Sequence, residues 1–368
     1  MKIIISINSA WNIFNFRFGL IKELQSKGHQ VIALAPKDEY VSKLEAIGVT
    51  CHHVSLNPNG TNPINEIRLF WQYYKVFKAI KPDMILSYTI KPNVYGNFAA
   101  RLLGIHTINN ISGLGTLFIR TTLTSYIAKM LYKLSFSFSS HVFFQNIDDK
   151  QLFVNSKLVR FDKCSVIPGS GVNVETFKSS RSKNIGKIFL FVGRLIRDKG
   201  VIEYLRAATE ILKIHTDREF LLVGELGCNN NTALTKDQLE EYTTIYPQIK
   251  YLGKTDDMVS VLEGVDVMVL PSYREGLSKS LIEAAAMSLP IITTDVPGCR
   301  DVVNNNENGL LCDVKSSKSL ELAIQTMIGL DHDKRHQMGI NGRGVAEKIF
   351  AEENVINHYL KTINRVSK

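Results

Sequence analysis

The strongest constraint on the fold of this chain is a regular alternation of strand-like and helix-like segments, which occurs in two series. Strand-like runs lie at residues 2–7, 30–35, 84–87, 141–144 and 164–167 in the first series, and at 187–192, 218–223, 249–252, 265–270 and 290–294 in the second. Helical patterns separate these runs. Repeated β-α units are typical of parallel sheets that helices cover on both faces. The sequence therefore predicts an α/β protein with two doubly wound, Rossmann-like sheets.

The chain is long enough for two such domains, because 368 residues exceed what one ordinary core accommodates. A join containing Gly and Ser at 168–172 and a polar stretch at 179–186 separate the two series. We expect one domain at residues 1–168, a second at 187–350, and a helix at 351–368 that packs back on the first domain. Ligands of such sheets bind at the carboxyl ends of the strands, so we expect the two domains to face a cleft.

Cysteine usage and hydropathy exclude several classes of protein. The five cysteines are scattered and show no C-x-x-C spacing, which argues against a disulfide framework or a zinc site and favours a reducing cytoplasm. The amino-terminal apolar run is too short for a signal peptide. No apolar run approaches the roughly 20 residues that a membrane-spanning helix needs. The sequence therefore predicts a cytoplasmic protein that is not integral to a membrane.

The excess of positive over negative charge lies entirely in the first half of the chain. The net charge is +9, and residues 1–180 carry 20 Lys and Arg against 10 Asp and Glu. No acidic residue occurs between Asp83 and Asp148, and the segment 117–138 interleaves aromatic and aliphatic residues with Arg and Lys. Such a segment is typical of a peripheral anchor on an anionic bilayer. Two alternatives stay open: a nucleic-acid surface, although no nucleic-acid-binding motif accompanies it, and a core helix with snorkelling lysines.

The segment 271–283 carries the densest pattern of candidate binding residues. Glu275 and Glu283 are separated by seven residues, and the layout is strand, glycine turn and helix. The first N–H groups of a helix have no internal partner, so those near Ser278–Ser280 predict an anion site. Carboxylates next to a bound phosphate can accept hydrogen bonds from sugar hydroxyl groups. The pattern therefore predicts a nucleotide sugar as the ligand. The alternative is that both glutamates lie on a solvated face.

Other loops of the second series add cations at the same sheet edge. Gly193 permits a sharp turn after a strand, and Arg194 and Lys199 follow it. Arg offers a planar fork and Lys a point charge, a combination that suits a diphosphate. Lys254 follows a later strand in a Leu-Gly-Lys loop. An exposed basic loop is the alternative interpretation of these residues.

In its second half the chain resembles the retaining glycosyltransferases of family 4, which have the two-domain GT-B fold. The residues that carry this resemblance are Gly171-Val172-Asn173, Gly193-Arg194-Leu195, Lys199-Gly200, Pro271-Ser272, Glu275-Gly276, Glu283-Ala284, Asp295-x-x-Gly298 and Asn308-Gly309-Leu310-Leu311. The first half is similar to bacterial transferases that extend undecaprenyl-diphosphate-linked saccharides. The residues of that second resemblance are Phe16-Arg17, Asp38-Glu39-Tyr40, Gly113-Leu114-Gly115, the segment 131–136 and Pro271-Ser272-Tyr273.

The resemblance implies roles for the motif residues. Arg194, Lys199 and Glu275 would be catalytic, because the cations stabilise the leaving nucleotide and Glu275 contacts hydroxyls of the donor sugar. The residues implied to bind the donor are Gly193, Lys254, Gly276, Leu277, Ser278 and, on the ribose, Glu283. No metal ion and no cofactor is implied, since Arg and Lys neutralise the diphosphate.

On the acceptor side the chain departs from the family pattern. Many relatives have a Gly-Gly turn where this chain has Asn8-Ser9, and many have a His near the position of Lys91. The residues implied to face the acceptor are Asn8, Ser9, Lys91, Gly113 and Gly115. Gly113-Leu114-Gly115 lacks the third glycine of a dinucleotide fingerprint, so hydride transfer is not indicated.

The resemblance implies a retaining hexosyltransferase. It would move a hexose or an N-acetylhexosamine from a UDP-sugar to a polyprenyl-diphosphate-linked saccharide during assembly of a surface polysaccharide, such as O-antigen, or a glycan. Its expected location is the inner face of the bacterial cytoplasmic membrane, as a peripheral protein that contacts anionic lipid and no nucleic acid. Two alternatives stay open: a nucleotide-sugar epimerase with the GT-B fold, and a non-catalytic nucleotide-sugar-binding subunit.

Overall fold

A computed structural model describes residues 1–57, 60, 62–114, 123–179, 186–228, 230 and 232–367. The chain divides into two compact units. The first comprises Met1–Ser170 together with Glu353–Lys368, and the second comprises Gly171–Glu352. Each unit has one parallel sheet of its own.

The strands of the described residues follow one another in two groups. The first sheet contains β1 Lys2–Ser6, β2 Gln30–Ala35, β3 Thr50–His53, β4 Met84–Tyr88, β5 His106–Ile111, β6 His141–Phe144 and β7 Cys164–Val166. The second sheet contains β8 Ile188–Val192, β9 Glu219–Val223, β10 Ile249–Tyr251, β11 Val267–Leu270, β12 Ile291–Thr294 and β13 Gly309–Cys312.

Helices connect most of these strands. The helices are α1 Ala10–Ser26, α2 Val41–Ala46, α3 Pro63–Ile80, α4 Asn97–Leu102, α5 Leu123–Phe138, α6 Ile147–Asn155, α7 Val201–Leu212, α8 Lys236–Ile245, α9 Met258–Glu263, α10 Lys279–Ala286, α11 Ser317–Gly329, α12 His332–Val345 and α13 Glu352–Val366. Short π-helices lie at Pro92–Gly96 and Ala346–Phe350, and 3-10 turns at Phe161–Lys163 and Arg197–Lys199.

Both sheets have the doubly wound strand order. The order is β3-β2-β1-β4-β5-β6-β7 in the first unit and β10-β9-β8-β11-β12-β13 in the second. Successive strands are added on one side of β1 or β8, and the chain then returns to add β4 or β11 on the other side. Each sheet therefore has a topological switch point, between β1 and β4 and between β8 and β11, where a crevice forms at the carboxyl ends of the strands. The predicted α/β fold class is confirmed.

The carboxyl-terminal helix α13 belongs to the first unit although the second unit precedes it in the sequence. Its residues Val355, Tyr359 and Ile363 are buried in the same apolar cluster as Ile3 and Ile5 of β1. A helix that buries a stripe of this kind is held by packing rather than by its intrinsic propensity. The core of the first unit is therefore built from both ends of the chain.

Candidate active site

The motif residues of the second unit gather at its switch point. The loop containing Gly193 and Arg194 leaves the carboxyl end of β8, and the segment 271–278 leaves the carboxyl end of β11, which is the neighbouring strand. The N–H of Gly193 donates to the carbonyl oxygen of Val223 at 3.0 Å, which fixes the start of the first loop. Both loops therefore leave the same edge of the sheet.

Lys199 and Glu275 form the central ion pair of this edge. Nζ of Lys199 donates a short hydrogen bond to Oε1 of Glu275, and the two side chains are only 23% and 12% exposed. Salt screens a partly buried pair less than an exposed one. An ammonium group has three N–H donors, so Lys199 has further donors for the oxygen atoms of a ligand. The pair thus fixes one cation and one carboxylate at the carboxyl end of β11.

Close backbone packing holds the two loops together. Gly200 has φ +76°, and a Cβ atom there would lie 2.1 Å from the carbonyl oxygen of Pro271. The N–H of Tyr273 donates to the carbonyl oxygen of Asp198 at 2.9 Å, and Oγ of Ser272 donates to the same oxygen at 3.2 Å. Only glycine fits at position 200, so the Lys-Gly motif has a steric reason.

One N–H group at the amino-terminal end of α10 already has a partner. The N–H of Ser278, predicted to bind an anion, already donates to the carbonyl oxygen of Gly298 at 3.1 Å. The backbone at Gly298 also lies close to Glu275: a Cβ atom at position 298 would be 2.5 Å from the carbonyl oxygen of Glu275. The N–H of Ser278 accordingly closes the turn in this structure. No side chain of the described residues caps this end of α10.

Glu283 lies on α10 with its carboxylate largely removed from solvent. The residue is 8% exposed, and the nearest cation is Nζ of Lys279, which lies 3.7 Å from Oε1. Burial raises the pKa of Glu283 above its ordinary value of 4.5, while Lys279 opposes that shift. A buried carboxylate with one distant partner has acceptor capacity for ligand hydroxyls.

Two further predicted cations lie in loops at the same end of the second sheet. The Arg194 side chain is exposed, and the adjacent N–H of Leu195 donates to the carbonyl oxygen of Glu225 at 2.8 Å. Nζ of Lys254 lies 3.0 Å from Oε1 of Glu225 and its side chain is 67% exposed. Exposed pairs contribute little to stability, so a ligand can compete for Lys254.

The predicted acceptor residues Asn8 and Ser9 begin α1. Oγ of Ser9 accepts from the N–H of Asn12 at 3.2 Å, and Oδ1 of Asn8 accepts from the side chain of Asn12 at 2.9 Å. Both side chains therefore serve the first turn of the helix.

The structure pairs Lys91 within the first unit. Its Nζ donates a short hydrogen bond to Oε1 of Glu66 and a 2.8 Å bond to the carbonyl oxygen of Gly60. The Lys91 and Glu66 side chains are 11% and 12% exposed. Gly113 follows β5 with φ +121°, and Gly115 lies outside the described residues.

A contact between Tyr273 and Glu203 was missed by sequence reasoning. The hydroxyl of Tyr273 donates to Oε1 of Glu203, on α7, at 2.8 Å. Burial, together with Glu203, raises the pKa of Tyr273. Tyr273 lies inside the segment that the sequence singled out, but Glu203 is part of an ordinary helical pattern and gives no local signal. The contact ties the loop that carries Glu275 to the body of the unit.

Among the described residues, no group of three or more His, Cys, Asp and Glu side chains could hold a metal ion. No helix in the described ranges has the length and hydropathy of a membrane span.

Two family models match the chain. The model described as "Glycosyl transferases group 1" matches residues 173–345, and the one described as "Glycosyl transferase 4-like" matches residues 2–146. The first match includes every donor-side residue discussed above. The second covers the first unit up to the end of β6.

Characterised relatives match over most or all of their length. The chain is 29% identical to the N,N'-diacetylbacillosaminyl-diphospho-undecaprenol alpha-1,3-N-acetylgalactosaminyltransferase of Campylobacter jejuni, over 100% of both proteins. It is 25% identical to the UDP-Gal:alpha-D-GlcNAc-diphosphoundecaprenol alpha-1,3-galactosyltransferase of Escherichia coli, over 83% of this chain and 79% of that protein. The crystal structure of Anabaena HepE in complex with UDP has the same fold, with a TM-score of 0.79, 18% identity and coverage of 99% and 100%.

Proposed function

We propose that this chain transfers a hexose or an N-acetylhexosamine from a UDP-sugar to a polyprenyl-diphosphate-linked saccharide, because two glycosyltransferase family models match its residues 2–146 and 173–345. The two relatives above act on undecaprenyl-diphosphate-linked acceptors, and one of them takes its sugar from UDP-Gal. The product would enter the assembly of a surface polysaccharide or glycan.

The observation that carries the proposal is the Lys199–Glu275 pair at the switch point of the second sheet. A nucleotide sugar needs cations on its diphosphate and acceptors for its hydroxyls. Lys199 and Glu275 provide one of each within a single hydrogen bond. Arg194 follows β8 at the same edge and adds a fork for phosphate oxygens.

In the proposed reaction the bond between the anomeric carbon and the UDP oxygen breaks, and its electron pair leaves with UDP. Arg194 and Lys199 stabilise the negative charge that develops on the diphosphate. The acceptor hydroxyl attacks the anomeric carbon from the face that UDP leaves, so the configuration is retained. Its proton passes to the departing phosphate oxygen. Two cationic side chains supply the neutralising charge, so turnover should persist in a chelator.

Glu283 is proposed to bind the ribose of the donor. Its buried carboxylate lies on α10, directly after the loop that carries Glu275. The cost of burying a carboxylate is offset when ligand hydroxyls donate to it. Gly193, Gly276, Leu277 and Lys254 would line the donor through their backbone or, for Lys254, its ammonium group.

We propose that α5 holds the enzyme on an anionic bilayer. One side of α5 buries Tyr132 and Phe136 in the core of the first unit, while Tyr126, Met130 and Leu134 are 69%, 48% and 50% exposed. Large apolar side chains on an exposed helix face are unusual unless the face binds something. Lys129 and Lys133 lie on the same helix and no acidic residue lies on it, so an anionic leaflet suits both its charge and its apolar side chains.

The decisive experiment measures UDP release from a panel of UDP-sugars, with and without a polyprenyl-diphosphate-linked saccharide. We expect release that depends on the acceptor and a product one sugar larger. Interconversion of the sugar without acceptor would instead identify an epimerase. UDP binding without any turnover would identify a binding subunit.

Membrane association has its own test, which is flotation with liposomes of anionic or zwitterionic lipid. We expect binding to anionic liposomes that weakens as salt rises, and several-fold weaker binding for K129E/K133E. K213E/K318E, which reverses two exposed lysines of the second unit, is the matched control. Equal binding of both double variants would refute a role for α5.

A further inference from the structure

The switch point of the first sheet holds a buried cation that the reaction described above does not use. Arg17 lies on α1, which follows β1, and Tyr88 is the last residue of β4. These two strands are neighbours at the point where the strand order reverses. Arg17 is 4% exposed and Tyr88 is fully buried. In parallel sheets this position is where ligands bind.

The polar atoms of this pair are incompletely satisfied. The guanidinium carbon of Arg17 lies 4.1 Å from the centre of the Tyr88 ring, and Nη1 donates to the carbonyl oxygen of Phe16 at 3.1 Å. Nε of Arg17 is buried without a hydrogen-bond partner, and the hydroxyl of Tyr88 makes at most a long contact with the hydroxyl of Tyr359. Within the described part of the chain, no carboxylate forms an ion pair with Arg17.

A purely structural role does not account for this arrangement. A buried charge without an opposite charge destabilises a fold, and a cation–π contact compensates only in part. A buried Nε without a partner and a buried hydroxyl with at most a long contact add to that destabilisation. All of these groups would be satisfied by an anion with several oxygen atoms, and the guanidinium fork matches phosphate geometry.

Uncharged polar side chains contact Tyr359, which lies near Tyr88 in the apolar cluster of the first unit. Asn110 of β5 donates through Nδ2 to the hydroxyl of Tyr359 at 2.9 Å, and Gln145 donates to Oδ1 of Asn110 at 3.5 Å. The rings of Tyr88 and Tyr359 have centres 6.3 Å apart. Amide and phenol groups stabilise a bound anion without repelling it, as a carboxylate would.

The backbone after β4 has two irregularities next to the pair. Thr89 has φ +61°, a conformation that a β-branched residue rarely adopts. The helix that follows begins with a π-helical turn at Pro92–Gly96. Strained residues and π-helical turns concentrate at functional sites, where the surrounding structure holds them in place.

We propose that Arg17 and Tyr88 form a phosphoryl-binding site on the first unit, and that its ligand is the diphosphate of the lipid-linked acceptor. The choice of ligand rests on the proposed function, whereas the anion site itself rests on Arg17 and Tyr88. The donor diphosphate has its own cations on the second unit. A buried guanidinium that has no carboxylate partner among the described residues can pair with a second diphosphate.

The test is calorimetric titration with inorganic pyrophosphate and with farnesyl diphosphate, in the presence of saturating UDP to occupy the donor site. We expect R17M to lose at least tenfold in affinity for both probes and Y88F to lose about threefold. R160Q is the matched control, because Arg160 is an exposed arginine that pairs with Asp162. UDP affinity, measured separately, should be the same in all four proteins.

Thermal unfolding separates binding from a structural role. Without ligand, R17M should unfold at the same temperature as the wild type or higher, because an unpaired buried charge has been removed. A lower unfolding temperature together with wild-type pyrophosphate affinity would show that Arg17 is structural. If R17M does not fold, undiminished affinity of Y88F for both probes overturns the site.

Two further outcomes decide the source of the phosphate. Tighter binding of farnesyl diphosphate than of pyrophosphate supports the lipid acceptor, and weaker UDP binding by R17M would assign the site to the donor instead. Turnover is measured independently of these titrations. A protein that binds both probes through Arg17 yet transfers no sugar would refute the proposed function and leave the anion site standing.

Discussion

The two switch points of this molecule have the same topology, and each holds a cation. They differ in whether that cation is paired with a carboxylate. In the second unit the cation Lys199 is paired with Glu275, and glycine residues allow the backbones of the two loops to approach closely. In the first unit the cation Arg17 is buried against Tyr88, with no carboxylate partner among the described residues, next to a strained Thr89. One fold therefore supports both a centre that is charge-balanced before its ligand arrives and one that is not.

The difference fits the role that we propose for each centre. A group that acts on a leaving diphosphate has to be held in position before the reaction, because prior orientation is the source of electrostatic catalysis. A group that only binds can stay unsatisfied until its ligand supplies the missing charge. Proteins accept local instability of this kind at functional sites.

The largest expected effect concerns the paired centre. K199Q should lower kcat about 100- to 1,000-fold, the range seen when one stabiliser of a developing charge is removed. Steady-state kinetics of UDP release measures this. K213Q is the control, because Lys213 forms an exposed pair with Glu210 on the same unit, and it should turn over at the wild-type rate.

A charge swap separates catalysis from simple stabilisation of the loops. K199E/E275K restores an ion pair, yet it moves the cation to a different loop. We expect the double variant to fold and to stay inactive. Recovery of activity would mean that the pair acts only by holding the two loops together.

The next effect concerns stability in acid and should appear in the first unit. His141 of β6 accepts a hydrogen bond from Arg365 of α13 at 2.9 Å, and burial together with that arginine lowers its pKa from 6.5 to about 4. The folded state thus favours neutral His141 while the unfolded chain takes up a proton, so stability is lost as pH falls from 6.5 towards 4. The loss should be about 2 kcal/mol.

Denaturant unfolding between pH 7 and pH 4 measures this loss. H141Q should reduce the dependence on pH, because glutamine accepts from Arg365 without titrating. H106Q is the control, since His106 lies exposed on the neighbouring strand β5. An H141Q protein with the same pH dependence as the wild type would show that other groups cause it.

The smallest effect concerns the donor. E283Q should raise the KM for the UDP-sugar about tenfold, which corresponds to one hydrogen bond to a charged group. Burial raises the pKa of Glu283, so its protonation should begin at a pH higher than 4.5. As the solution is acidified, the KM of the wild type for the donor should therefore rise before pH 4.5 is reached, and E283Q should show no such rise. E321Q is the control, as Glu321 is also 8% exposed and paired with a lysine.

The alternation of apolar runs was sufficient to predict the fold class but missed three strands. They are β3, β5 and β13, with the sequences TCHH, HTINNI and GLLC. β3 is an edge strand with half-exposed residues, and β13 follows a turn and is short. β5 is polar although its asparagines are buried, because those asparagines form hydrogen bonds to other elements such as Tyr359. Apolar patterning cannot reveal a strand of that kind.

The candidate sites show the same limit at the level of side chains. Arg194, Lys199, Glu275 and Glu283 were found from local motifs, because glycine turns and strand ends leave a short-range signal. The pairing of Lys199 with Glu275 joins two loops and was not predicted. Arg17 could be recognised from the sequence only as part of a family pattern, because its lack of an acidic partner among the described residues is a property of the three-dimensional surroundings.

The position of α13 also sets the order in which the chain folds. During synthesis the ribosome releases residues 1–170 first, yet the core around Ile3 and Ile5 lacks Val355, Tyr359 and Ile363 until α13 emerges. Domains usually fold in the order of their synthesis. Here the second unit is complete before α13 is available to the first unit, so a truncation that removes α13 would destabilise the amino-terminal unit.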